Sequence, residues 1–126
     1  MLTEELRTAA RALGEALRVS EAVQKYLNAR ADCEADPEAV DLEKRLLARY
    51  EELITRQQRG DLLPRSEIEA FNALKRQVYL YPRIADREAA TALVKPNFAE
   101  IADEINLPLG VEFAALAHPA EAKEKP

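Results

Sequence analysis

The residue types that build most active sites are almost missing from this chain. Its 126 residues include one histidine, His118, and one cysteine, Cys33. A nucleophile–base pair needs a rigid partner within hydrogen-bond reach. His118, beside Pro119 in a polar terminal stretch, reads as exposed and without one. A lone cysteine excludes an internal disulfide, and a zinc or iron–sulfur site needs several cysteines or histidines. Three glycines, Gly14, Gly60 and Gly110, are too few for the tight turns of a β-sandwich or barrel. Val, Ile and Thr are also scarce, which leaves little to build strands from. No Gly-rich phosphate loop is present. No apolar run approaches the roughly 20 residues that span a bilayer. Met1-Leu2-Thr3-Glu4-Glu5 shows no charged-then-apolar signal segment, so the expected location is the cytoplasm. The net charge is −5, and basic residues are interleaved with acids, as in Glu43-Lys44-Arg45. Such a surface disfavours direct binding to nucleic-acid phosphates.

What the chain does have is helix. It is 48% hydrophobic and 33% charged, the balance of long helices with one solvated face. Leu2, Leu6, Ala9, Ala10, Leu13, Ala16 and Leu17 recur at three- and four-residue steps, giving an apolar stripe on a first helix over about Thr3–Val19. Thr3 reads as its N-cap. Gly14 inside it is either a point of close helix approach or a tolerated cost of about 1 kcal/mol against Ala. Ser20 reads as the N-cap of a second helix. Its apolar face carries Ala22, Val23, Tyr26, Leu27 and Ala29, and Cys33 on that face reads as a small core hydrophobe.

Asp36-Pro37 is the clearest start signal: Asp accepts a backbone N–H, and Pro at the first helical position has none to lose. Nothing breaks the third helix until Gly60. At 1.5 Å per residue it is about 35 Å long. Its stripe is Val40, Leu42, Leu46, Leu47, Tyr50, Leu53 and Ile54, broad enough to touch two neighbours. Asp41 with Arg45 and Glu52 with Arg56 read as i,i+4 pairs. Ser66 and Glu69 form a capping box before a fourth helix with Ile68, Phe71, Leu74 and Val78, and Tyr81-Pro82 ends it. A fifth helix starts near Arg83 or Ile84, carries Val94, Phe98, Ile101 and Ile105, and is expected to kink or break near Pro96.

The fold class expected is therefore all-α: a compact bundle of about five helices around a long central helix at about 37–59. The expected domain is 1–116, with a frayed polar tail at 117–126. Carboxylate pairs such as Glu51-Glu52, and Glu100 with Asp103-Glu104, read as solvated charge. No catalytic, cofactor-binding or metal-binding residue is assigned. The candidate interface is Leu42, Leu46, Leu47, Tyr50, Leu53 and Ile54, because so long a helix in so small a domain projects past its own core and a second copy covers the remainder. Tyr79 and Tyr81 join it as an anchor at a helix end, or else pack over that end and close the core.

The whole pattern resembles the YlbF/YmcA family of small helical bacterial proteins. The matching pieces are Ala12-Leu13-Gly14-Glu15-Ala16-Leu17 with Ser20-Glu21, Tyr26 and Ala29; Asp36-Pro37-Glu38-Ala39; Gln57-Gln58-Arg59-Gly60; Ile68, Leu74, Val78 and Pro82; and Ile105-Asn106. The resemblance implies an all-helical, often dimeric protein with no known catalytic residues. Such proteins are linked to competence, sporulation and biofilm development, some of them in a complex that affects messenger-RNA processing by the membrane-anchored endoribonuclease Y. Some complexes of that kind hold iron–sulfur clusters. This chain departs there, since Val111–Pro126 has no cysteine, and no cofactor is expected. The function expected is that of a non-catalytic regulatory adaptor: a homodimer with protein partners, a place in an RNA-processing complex and no insertion in a membrane. The alternative is a self-contained homodimeric helical module. Either way, Leu46→Glu or Leu53→Glu is predicted to disrupt folding or dimerisation. Melting temperature and mass in solution check this, and no change in either contradicts it.

Overall fold

The computed structural model describes residues 1–117, and every regular element among them is helical. In chain order these are α1 (Glu4–Arg18), α2 (Glu21–Glu34), α3 (Pro37–Gln58), α4 (Arg65–Leu80), α5 (Pro82–Leu109) and the short α6 (Phe113–Ala117). The all-helical reading holds, and the long third helix lies where Asp36-Pro37 and Gly60 place it. His118 and nearly all of the expected tail lie outside the described residues.

Local chemistry sets most boundaries as expected. The Thr3 side chain accepts from the Leu6 amide at 3.1 Å and opens α1. Asp36 Oδ1 accepts from the Glu38 and Ala39 amides at 3.0 and 3.3 Å, with Pro37 in the first turn of α3. Gly60 and Gly110 follow their helices at φ +87° and +83°, a conformation that costs an L side chain and not glycine.

Three details differ. Ser20 stands at the N-cap of α2 but makes no side-chain cap there; its hydroxyl donates backward to the Leu17 carbonyl at 2.7 Å. Gln24 Nε2 donates to the Arg18 carbonyl at 2.6 Å, so the pair closes α1 and fixes the α1–α2 corner. The capping box at Ser66 and Glu69 does not form. Pro64, at φ −61° and ψ 146°, is the N-cap, which puts Ser66 inside the first turn and leaves Glu69 to pair with Arg65 at 3.3 Å. The fifth helix is not broken at Pro96. α5 runs from Pro82 to Leu109 with Pro96 and Pro108 inside it. Pro96 removes only the N–H that would serve the Ala92 carbonyl, and the helical bonds on either side persist.

Packing divides the chain into two units, Met1–Thr91 and the residues from Ala92 onward. In the first unit α3 packs chiefly on α4, α2 on α3, and α1 on α2. Its core is a cluster of Cys33, Ala39, Leu42, Val78 and Ile84, with Leu46, Leu74 and Tyr81 against it. Leu53 and Ala90 are also buried. Four helices contribute to this set and α1 contributes nothing. Of its expected stripe only Leu17 is half-buried; Leu2, Leu6, Ala9, Ala10, Leu13 and Ala16 are exposed. Gly14 meets no neighbouring atom within 4 Å of where a Cβ would sit, so no helix approaches there. In the second unit, Asn106 Oδ1 accepts from the Phe113 amide at 2.7 Å and caps α6, and no described residue is buried.

Candidate interaction groove

The geometry of the first unit is fixed by two polar ties around its core. Tyr81, at the corner between α4 and α5, donates its hydroxyl to Asp36 Oδ2 at 2.7 Å. Asp36 thus caps α3 with one carboxylate oxygen and holds the α4–α5 corner with the other. One turn into α5, Arg87 grips the Glu43 carboxylate of α3 through both guanidinium Nη atoms, one contact being 3.0 Å. The same guanidinium lies 3.5 Å from Cys33 Sγ. Two-pronged pairing of this kind sets orientation as well as energy. Cys33 itself is buried, and burial pushes its thiol up from the ordinary value, the reverse of what a reactive thiolate needs.

At the far end of α3, Arg56 pairs with Glu67 of α4. The expected Glu52–Arg56 pair is therefore absent, because Arg56 turns to α4 and Glu52 instead takes Arg49 at 3.3 Å. Asp41 and Arg45 do pair, at 3.3 Å.

Between these ties, α3 and α4 leave an open groove of about 340 Å³ lined by Glu43, Leu46, Leu47, Tyr50, Phe71, Lys75, Val78 and Tyr79. Tyr50 and Phe71 close one end with ring centroids 6.2 Å apart. Leu47 and Tyr50 keep 57% and 50% of their surface exposed, and Tyr79 44%. These are large groups held on helices, and the two tyrosines are of a residue type enriched among the side chains that carry binding energy at protein contacts. The two charged groups at the groove are Glu43, engaged by Arg87, and Lys75. What this arrangement offers is apolar capture of a side-chain ridge, the way a groove takes an amphipathic helix.

Four of the eight residues expected at an interface meet here: Leu46, Leu47, Tyr50 and Tyr79. The other four do not. Leu42 and Leu53 are buried in this chain's own core and are closed to a partner. Ile54 is half-buried outside the groove lining, and Tyr81 is engaged by Asp36. Phe71, Val78, Glu43 and Lys75 complete the lining. The α4 stripe already contained Phe71 and Val78, and the breadth of the α3 stripe was legible; what periodicity did not show is that the two stripes meet along one open groove. Among the described residues, no group of three or more His, Cys, Asp or Glu is placed to hold a metal, and no helix is long and apolar enough to cross a membrane.

A protein-family model described as "Control of competence regulator ComK, YlbF/YmcA" matches residues 6–109, a span that contains the core, both polar ties, the groove and Asn106. No curated protein and no solved structure gives a significant match to the chain.

The Asp36–Tyr81 tie carries a pH signature. The Tyr81 hydroxyl first, then the Ala39 and Glu38 amides, hold the Asp36 carboxyl below its ordinary 3.8. Asp36, followed by burial, pushes Tyr81 up to about 12. The Asp36 contribution is present above the ordinary carboxylate value and is lost as pH falls through the lower folded value. The Tyr81 contribution is present below the ordinary 10.0 and is lost as pH rises through about 12. Tyr81→Phe is expected to lower the melting midpoint at neutral pH by several degrees and to flatten the loss at the alkaline end. Thermal melts across pH check this, and an unchanged midpoint contradicts the tie.

Proposed function

This chain belongs to the YlbF/YmcA family, a family of regulators, and we propose that it is a non-catalytic adaptor that works by holding a protein helix in the α3–α4 groove. The observation that carries the proposal is the groove itself: an aromatic and aliphatic surface, left open by the core, whose only charged groups are Glu43, committed to Arg87, and Lys75. Surfaces of this kind on small domains are contact sites. Family membership supplies the setting, control of a competence regulator. In this reading the chain acts in the cytoplasm as a homodimer inside a larger complex, and the complex affects messenger-RNA processing by an endoribonuclease. No part of that role asks for a cofactor or for direct contact with nucleic acid.

The test is a tagged pull-down from lysate of the source organism, with nuclease added to remove bridging RNA and mass spectrometry as the readout. The wild-type chain is expected to recover family relatives, their partner protein or an endoribonuclease. Leu47→Glu, which alters the groove without touching the core, is expected to lose most of that recovery. Bait alone from the wild-type chain overturns the adaptor role and leaves a self-contained homodimeric module.

A further inference from the structure

The α3–α4 groove carries one charge that no described carboxylate answers. α4 presents Phe71, Lys75 and Tyr79 to the groove at steps of four residues, so Lys75 stands midway along that wall with an aromatic one turn to either side. Its helix neighbours at three and four residues are Phe71, Asn72, Val78 and Tyr79, none of them acidic. Both carboxylates of α4 are engaged elsewhere, Glu67 with Arg56 and Glu69 with Arg65. On the α3 wall, Glu43 gives both of its oxygens to Arg87. The exposed residues that flank the lining on α3, Lys44 and Glu51, are of opposite sign and add no net charge.

We propose that the partner helix held in this groove is an acidic amphipathic one, with an Asp or Glu at the edge of its apolar ridge seated on Lys75. The inference rests on the reading of the groove as a helix-binding surface and names the chemistry of its partner. An occupant that reaches from the Tyr50–Phe71 end to Tyr79 follows α4 for about 12 Å and must pass Lys75. Covering that ammonium without an anion strips its water and returns nothing. A carboxylate at the same place makes a charge-assisted hydrogen bond in surroundings less polar than water. A Lys or Arg there meets a like charge, and Glu43 is already paired with Arg87. The groove therefore selects against basic helices as well as for acidic ones. Lysine carries its ammonium outward on a flexible stem, which puts the partner's carboxylate at the rim of the α4 wall rather than on the floor of the groove. The aromatic and aliphatic groups supply the grip, and Lys75 supplies the choice of partner.

The experiment selects a displayed library of helical peptides on the full chain, with the helicity of each variant checked by circular dichroism. Every peptide carries a leucine ridge at i, i+3 and i+7, and the positions flanking the ridge are randomised. Binders of the wild-type chain are expected to be enriched in Asp and Glu on one flank and depleted in Lys and Arg there. Lys75 is exposed, so Lys75→Glu keeps the core, and selection on that variant is expected to reverse the preference. In a selected peptide, replacing the flanking acid by its amide is expected to weaken binding to the wild-type chain roughly three- to tenfold and to leave binding to Lys75→Met unchanged. Leu47→Glu, which alters the groove and not Lys75, is expected to select few binders of either kind. Binders without an acidic flank, or an acidic preference that persists on Lys75→Glu, overturn the assignment of Lys75 and leave the groove reading standing. A library that yields no binder of the wild-type chain, or binders that Leu47→Glu takes equally well, overturns the groove reading and this proposal with it.

Discussion

Asp36 holds the first unit together. Its carboxylate ends one helix junction and anchors another: one oxygen receives the opening amides of α3, the other the hydroxyl of Tyr81 at the α4–α5 corner. The residues it draws together are small in number but well chosen. Cys33, Ala39, Leu42, Val78 and Ile84 come from four helices and meet behind that tie, and the Arg87–Glu43 pair bolts α5 to α3 one turn further along. That tie joins the start of α3 to the α4–α5 corner, and the groove lies between α3 and α4 further along, toward Tyr50 and Phe71.

The consequence is a surplus. A chain that is nearly half apolar puts few of its large side chains into this core. Each fully buried Leu, Ile or Val stabilises the fold by roughly 1.5–3 kcal/mol, and the ones left outside forgo that gain unless something covers them. In the first unit part of the uncovered set is grouped, as a ridge on α1 and a trough between α3 and α4, while Val19, Leu62, Ile68 and Leu80 are exposed outside both. The proposed function by contact rests on that distribution more than on any single residue, and it fits a family of regulators.

The sequence spoke clearly where one residue decides a local event. Thr3, Asp36-Pro37, Tyr81-Pro82 and the two positive-φ glycines each satisfy or interrupt a backbone group by their own chemistry, and the helices begin and end there. It was less informative where two solutions compete for the same groups. Ser20 had a choice between capping α2 and closing α1, and the Leu17 carbonyl won. Ser66 lost its cap to Pro64, whose fixed φ suits the same position. Arg56 had Glu52 one turn away but reached across to Glu67. On α3, periodicity named the apolar stripe without telling inward from outward: Leu42 and Leu53 share it with Leu47 and Tyr50, and only the packing of the neighbouring helices separates them. Nothing local showed that α1, the most regular stripe in the chain, would remain outside the core.

Amide hydrogen exchange on the full chain, alone and with the partner recovered by pull-down, tests the central claim most directly, namely that the α3–α4 groove is a surface for a protein partner. The groove walls, Glu43 to Tyr50 and Phe71 to Tyr79, should exchange more slowly when the partner is bound. A bound partner that leaves exchange along both walls unchanged would contradict the account.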